Sequence, residues 1–210
     1  MSVLESLSEA VQKGRAKDVT ALVEEGLSEG LSAQELLDKG LLDGMGVLGE
    51  RFKNNEVFVP EVLIAARALN KGTEILKARL AEEGVESKGK VVLATVKGDL
   101  HDIGKNLVKI MLEGAGFTVI DLGVDASGEK FVEAVKEHDP DIVALSALLT
   151  TTMGQQGEII EALKAAGLRD KVKVMVGGAP VTQAFADQIG ADGYSADAAS
   201  AADLAKSFVA

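Results

Sequence analysis

Near residue 90 the spacing of apolar side chains changes from a helical repeat to short β-type runs. That switch restricts the chain to an α-helical part followed by an alternating α/β part. Before it, Val3, Leu4, Leu7 and Val11 form an apolar stripe at helical spacing, and Val19, Leu22, Val23 and Leu27 form a second. Ser32-Ala33-Gln34-Glu35 has the pattern of a capping box and opens a third helix carrying Leu36, Leu37, Leu41, Leu42, Met45, Leu48 and Phe52. Pro60 and Glu61 open a fourth, proline being tolerated in a first helical turn, which continues through Val62, Leu63, Ala66, Leu69, Ile75, Leu76 and Leu80. Four helices joined by short turns predict a small antiparallel bundle over residues 1–88. The polar, glycine-flanked stretch 84–89 reads as the linker and hinge.

Beyond it, Val-, Ile- and Leu-rich runs at 91–96, 118–122, 141–148 and 172–176, with a weaker one at 192–194, alternate with helical stretches near 104–113, 128–137, 155–166, 181–189 and 197–208. Such alternation predicts a Rossmann-like, flavodoxin-type α/β domain over 89–210: a five-stranded parallel sheet with helices on both faces, preceded by the all-α four-helix-bundle cap. The order 2-1-3-4-5, common in sheets of this kind, puts the topological switch between strands one and three, and ligands bind there at the carboxyl ends of the strands. Three loops converge on that crevice. The first is Gly98-Asp99-Leu100-His101-Asp102-Ile103-Gly104; the second runs from Ser146 through Leu148 and Thr150 to Thr152; the third is Gly177-Gly178-Ala179-Pro180.

The chemistry of these loops is specific. A histidine can ligate a metal through one ring nitrogen while the other donates to a carboxylate, which fixes the tautomer. Asp99, two residues before His101, is placed for that role. Gly177-Gly178 lets a large flat group or an extended tail approach the backbone. Ser146, Thr150, Thr151 and Thr152 supply hydroxyls that donate and accept. Each loop alone reads as an ordinary turn or helix cap; all three together, with an Asp–His pair, point to a ligand site. The glycines match neither nucleotide fingerprint, G-x-G-x-x-G or G-x-x-x-x-G-K-[ST].

Composition narrows the partners. A net charge of −11 over 210 residues argues against a nucleic-acid surface, which needs clustered Lys and Arg. No apolar run approaches the ~18 residues of a membrane span, and the first residues lack the pattern of a signal peptide. Cysteine is absent, so thiolate metal sites and disulfides are excluded. A cytoplasmic protein with no membrane partner is the expectation. His138, the other histidine, lies in a polar stretch and reads as a solvated loop residue, while the Ala-rich run 196–205 reads mainly as packing.

D-x-H-x-x-G, then S-x-L, then G-G, at these spacings, resembles the cobalamin-binding domain of corrinoid methyl-transfer proteins and the corresponding region of cobalamin-dependent methionine synthase. Asp43-Gly44-Met45, Gly49, Phe52 and Phe58-Val59-Pro60-Glu61-Val62 are similar to the helical cap module of the same proteins, so the likeness spans nearly the whole chain.

The resemblance implies cobalamin held base-off, with His101 as lower axial ligand to cobalt and Asp99 and Thr152 as the hydrogen-bonded relay behind it. Methionine synthase has a serine where this chain has Thr152. The displaced nucleotide tail would lie beside Ser146, Leu148, Gly177 and Gly178, with Thr150 and Ala198 as further contacts. Met45, Phe52 and Val59 would cover the upper face of the corrin. By the same resemblance the chain is a methyl carrier in one-carbon metabolism and not itself the substrate-selecting enzyme, since it contains no barrel domain. Its partners would be a substrate-specific methyltransferase acting on methoxylated aromatics, methanol or methylamines, a methyl-acceptor methyltransferase loading tetrahydrofolate or coenzyme M, and a reductive activation protein.

Three other readings share parts of the pattern. The cobalamin-binding subunit of an adenosylcobalamin-dependent mutase has D-x-H-x-x-G but does not need the helical cap. A cobalamin-based gene regulator needs a DNA-binding module, which the acidic N-terminal half does not offer. A receiver-like signalling domain needs a phospho-accepting aspartate at the end of strand three, where this chain has Ser146.

Overall fold

The computed structural model of the protein describes residues 2–210 and divides after Ser87 into two compact units. In the first, α1 (Val3–Gln12) begins at a full capping box: the Ser2 hydroxyl accepts the Glu5 N–H at 3.2 Å and the Glu5 carboxylate accepts the Ser2 N–H at 2.8 Å. α2 (Ala16–Ser28) follows, and α5 (Val59–Glu82) closes the unit with Pro60 in its first turn. Between them runs a continuous helical stretch over 33–53, which departs from the regular helix expected there. Its central turn, Leu36–Leu42, is wound as a π-helix between α3 (Ala33–Glu35) and α4 (Asp43–Lys53), and the Asp43 N–H reaches back five residues to the Asp38 carbonyl. The wider turn leaves Leu36, Leu41, Met45 and Leu48 all buried. At its start only half of the predicted capping box forms. Ser32 accepts the Glu35 N–H at 3.1 Å, but one Glu35 oxygen is taken by Lys39 at 3.1 Å.

The second unit contains β1 (Lys90–Thr95), β2 (Thr118–Asp121), β3 (Ile142–Ser146), β4 (Lys173–Gly177) and β5 (Gly193–Ser195), all parallel, in the order β2-β1-β3-β4-β5. One sheet face, carrying Val92, Ala94, Val143, Leu145, Val174 and Val176, packs on α7 (Gly128–His138), α8 (Gly154–Ala165) and α9 (Gln183–Ile189). The opposite face meets α10 (Ala198–Val209), where a Cβ on Gly193 would collide with Leu204 at 2.9 Å. α6 (Ile103–Gly114) packs beside α10.

Four sequence expectations change in detail. The third strand ends at Ser146 instead of Leu148, because the Leu148 N–H turns out of the ladder to a carboxylate. The linker is shorter than 84–89: the Lys88 N–H already donates to the Gly116 carbonyl, and the Gly89 carbonyl accepts from Thr118, so both belong to the second unit. The helix expected from 181 starts at Gln183, capped by the Thr182 hydroxyl. His138 is the last residue of α7 and not a loop residue. Among the described residues no helix is long and apolar enough to cross a membrane.

Candidate functional site

The loop after β1 is shaped by two residues with positive φ. Gly98 (φ 79°) turns the chain, and its N–H donates to the carboxylate of Asp125 at 2.7 Å. Asp125 is itself left-handed (φ 53°) and donates its own N–H to the Asp99 carbonyl at 3.1 Å. The β2–α7 loop therefore grips both sides of the Gly98–Asp99 peptide.

That grip delivers Asp99 to a fully buried position where all of its acceptor capacity is used. One carboxylate oxygen accepts from the His101 N–H at 3.1 Å and lies 2.7 Å from His101 Nδ1. The other accepts from the Leu148 N–H at 2.7 Å and from the Thr152 hydroxyl at 2.8 Å. Burial pushes this carboxyl up, but the donors from Leu148, His101 and Thr152 together outweigh burial and hold it well below the usual carboxylate range. Asp99 is thus an anion that can only accept, which assigns the His101 proton to Nδ1 and leaves the lone pair on Nε2. The imidazole is half exposed, so that lone pair is accessible to a ligand.

The threonine loop does not cap the next helix. α8 has no side-chain cap, and the Thr152 hydroxyl goes instead to Asp99. Ser146 and Gly177 end β3 and β4 and are paired side by side; the same register adds Thr95 of β1 and Ser195 of β5, making a row of three hydroxyls and a glycine across four strands. Paired residues in a parallel sheet point to one face, here the face covered by α10. Gly178 (φ 129°) lies so close to the next loop that a Cβ would come within 1.8 Å of the Ala147 carbonyl oxygen. Ala198, the first residue of α10, is buried, and Thr150 is exposed.

Around the imidazole, Leu100 and Ile103 are 72% and 78% exposed, and Leu148 and Leu149 are also open to solvent. Asp102 precedes α6 and its carbonyl accepts the Asn106 N–H, while Gly104 has open space at its Cβ position. In the helical unit Met45 is buried, Phe52 half-buried and Val59 exposed at the start of α5.

Four residues in this region escaped the sequence reading. Thr95 is fully buried and its hydroxyl donates to the His101 carbonyl at 2.8 Å. Ser195 is buried at the end of the hydroxyl row. Asp125 forms the grip on Gly98–Asp99. Gln156 of α8 is fully buried, with Nε2 donating to the carbonyls of Leu145 and Gly177 at 3.0 and 3.1 Å, and its Oε1 has no partner among the described residues. A hydroxyl inside the apolar run 91–96 was the one visible signal, since a buried Thr needs a partner.

Comparison with known proteins gives a consistent set of likenesses. Residues 89–203 and residues 3–77 each match a B12 binding domain model. A corrinoid protein of Desulfitobacterium hafniense is 45% identical over 208 residues, covering 98% of this chain and 96% of its own. The dimethylamine corrinoid protein of Methanosarcina barkeri is 46% identical over 209 residues, covering 99% and 98%. Among solved structures, the methanol:cobalamin methyltransferase complex of Methanosarcina barkeri contains a chain that superposes with a TM-score of 0.87 at 32% identity, covering 99% of this chain and 79% of that one.

Proposed function

Because this chain belongs to the family of B12-binding corrinoid proteins, we propose that it is a methyl carrier that holds a corrinoid on its α/β unit and meets two methyltransferases in turn. The observation that carries the reading is the Asp99–His101 pair: a buried anion fixes the tautomer of an exposed imidazole and points a single lone pair outward.

The residues present fit such a group. Among the described residues, no cluster of three or more His, Cys, Asp or Glu side chains could cage a bare ion, so His101 suits a metal that brings its other ligands in a macrocycle. Leu100, Ile103, Leu148 and Leu149 offer an exposed apolar seat for a flat ring. Ser146, Gly177 and Gly178, with Thr150 and Ala198, are the groups beside which the cofactor's tail would lie, base-off. When bound, the corrinoid supplies a cobalt centre that accepts a methyl group from a substrate-specific methyltransferase and yields it to one loading tetrahydrofolate or coenzyme M, with a reductive activation protein restoring the reduced metal.

His101 would hold the cobalt through Nε2, in place of the cofactor's own base. Asp99, 2.7 Å from Nδ1, keeps the ring oriented and its tautomer fixed. Thr152, donating to the other Asp99 oxygen at 2.8 Å, holds that carboxylate in place behind the ring. By the family likeness Met45, Phe52 and Val59 would be the helical unit's apolar residues that shield the cofactor. The names of its relatives make methylated amines and methanol the first donors to try. A mutase subunit would not need the helical B12-binding unit matched over 3–77, which favours the carrier.

The test uses hydroxocobalamin. The wild-type chain should retain it through gel filtration in a one-to-one complex whose spectrum reports a displaced benzimidazole and a coordinated histidine. His101→Ala should keep its fold and some cofactor, through the tail contacts, but lose the histidine signature and most methyl transfer. Colour that separates from the wild-type protein would overturn the reading.

A further inference from the structure

We propose that Thr95 is a positioning residue for His101, holding the ligand histidine by its backbone while Asp99 holds it by its ring; this rests on the reading of His101 as a metal ligand. Asp99 touches the ring and the N–H of His101. Those two contacts leave the third handle, the carbonyl, which is where the chain leaves the residue toward α6. Thr95 closes it: its hydroxyl donates to the His101 carbonyl at 2.8 Å, across a loop of six residues.

The donor is itself immobile. Thr95 ends β1, an interior strand between β2 and β3, and is fully buried. Its N–H donates to the Gly123 carbonyl at 3.0 Å, and its carbonyl accepts the Ala126 N–H at 3.0 Å. A β-branched side chain on a strand has few rotamers, so the hydroxyl position is set by the sheet. The loop residues it serves are the opposite: Leu100, His101, Asp102 and Ile103 are all exposed. Beyond His101 the chain is next held at the start of α6, where the Asn106 N–H donates to the Asp102 carbonyl at 2.7 Å. The hydroxyl thus ties the one residue whose orientation decides ligation to the interior strand β1.

The test compares three chains. Thr95→Val keeps shape and strand propensity but removes the donor; Thr95→Ser keeps the donor. In ligand-free protein, amide exchange at His101, whose N–H is bonded to Asp99, should quicken roughly two- to tenfold in Thr95→Val, the range of one hydrogen bond, and return toward wild type in Thr95→Ser. With hydroxocobalamin, the fraction in the histidine-coordinated form should fall by a similar factor in Thr95→Val and recover in Thr95→Ser. Exchange and coordination unchanged in Thr95→Val would overturn the proposal.

A Thr95→Val chain that does not fold leaves the wild-type measurement standing. The Thr95 hydroxyl proton should then appear by NMR as a slowly exchanging resonance close to His101, and its absence from that position would overturn the proposal. If the exchange result holds but no histidine coordination is seen in wild type, the reading of His101 as a metal ligand fails and the Thr95 contact stands.

Discussion

At the scale of single residues, Asp99 governs the site and has a measurable pH signature. Its carboxyl is held below the ordinary value of 3.8 in the folded chain, because its four contacts with donors outweigh burial. A depressed native pKa means that the unfolded state binds the proton first as pH falls, so the stabilisation is complete above the ordinary value and is lost as pH drops below it toward the native value. Wild type should therefore lose stability below pH 3.8 more steeply than Asp99→Asn, whose amide does not titrate, while Asp99→Asn should be the less stable at neutral pH. Urea unfolding from neutral pH downward checks this, and parallel profiles in the two chains would remove Asp99 as the titrating group. Asp99 and His101 were legible in the sequence because they stand two apart in a glycine-bounded loop. Thr95 and Asp125 were not, since their partners are set by loop dihedrals: the left-handed Asp125 and the turn at Gly98 decide who faces whom.

At the scale of elements, strand number, strand order and the two periodicities were readable, because burial on both sheet faces leaves uninterrupted Val and Ile runs. The π-wound turn at Leu36–Leu42 was not readable. Leu36, Leu37, Leu41 and Leu42 satisfy a regular helix equally well, and packing against α1 chooses the wider turn, where a Cβ on Gly40 would meet Leu7 at 2.5 Å. The attachment of α6 to β2 was equally hidden. Lys105, almost fully buried, reaches both oxygens of Asp121 at 2.8 and 2.7 Å, with Lys109 at 3.5 Å. Burial pushes the Asp121 carboxyl up, and Lys105, the Gly123 N–H and Lys109 bring it below its ordinary value. Lys105→Met should destabilise the chain by about 1–3 kcal/mol, below the cost of breaking a fully buried pair, since Lys109 remains beside a partly exposed Asp121. Lys105→Met with Asp121→Leu should recover most of that loss in denaturant melts; an unchanged single variant would show that the pair contributes nothing.

At the scale of the whole molecule, the division after Ser87 separates two hydrophobic cores, and every member of the Asp99–His101–Leu148–Thr152 network lies in the second. A fragment covering 88–210 should fold alone with a cooperative transition and take up hydroxocobalamin with the histidine coordinated. A fragment that stays unfolded, or binds without that signature, would mean that the helical unit completes the receptor. The strand order has one more consequence. β1 lies inside the sheet although it is the first strand made, and Asp99 finds Leu148 and Thr152 only 49 and 53 positions later. A ribosome adding about 5–20 residues per second therefore exposes the His101 loop for several seconds before its anchors exist. Only when the chain through Thr152 has emerged can Asp99 be held from behind. The order of synthesis thus separates the making of the His101 loop from the making of the anchors behind it.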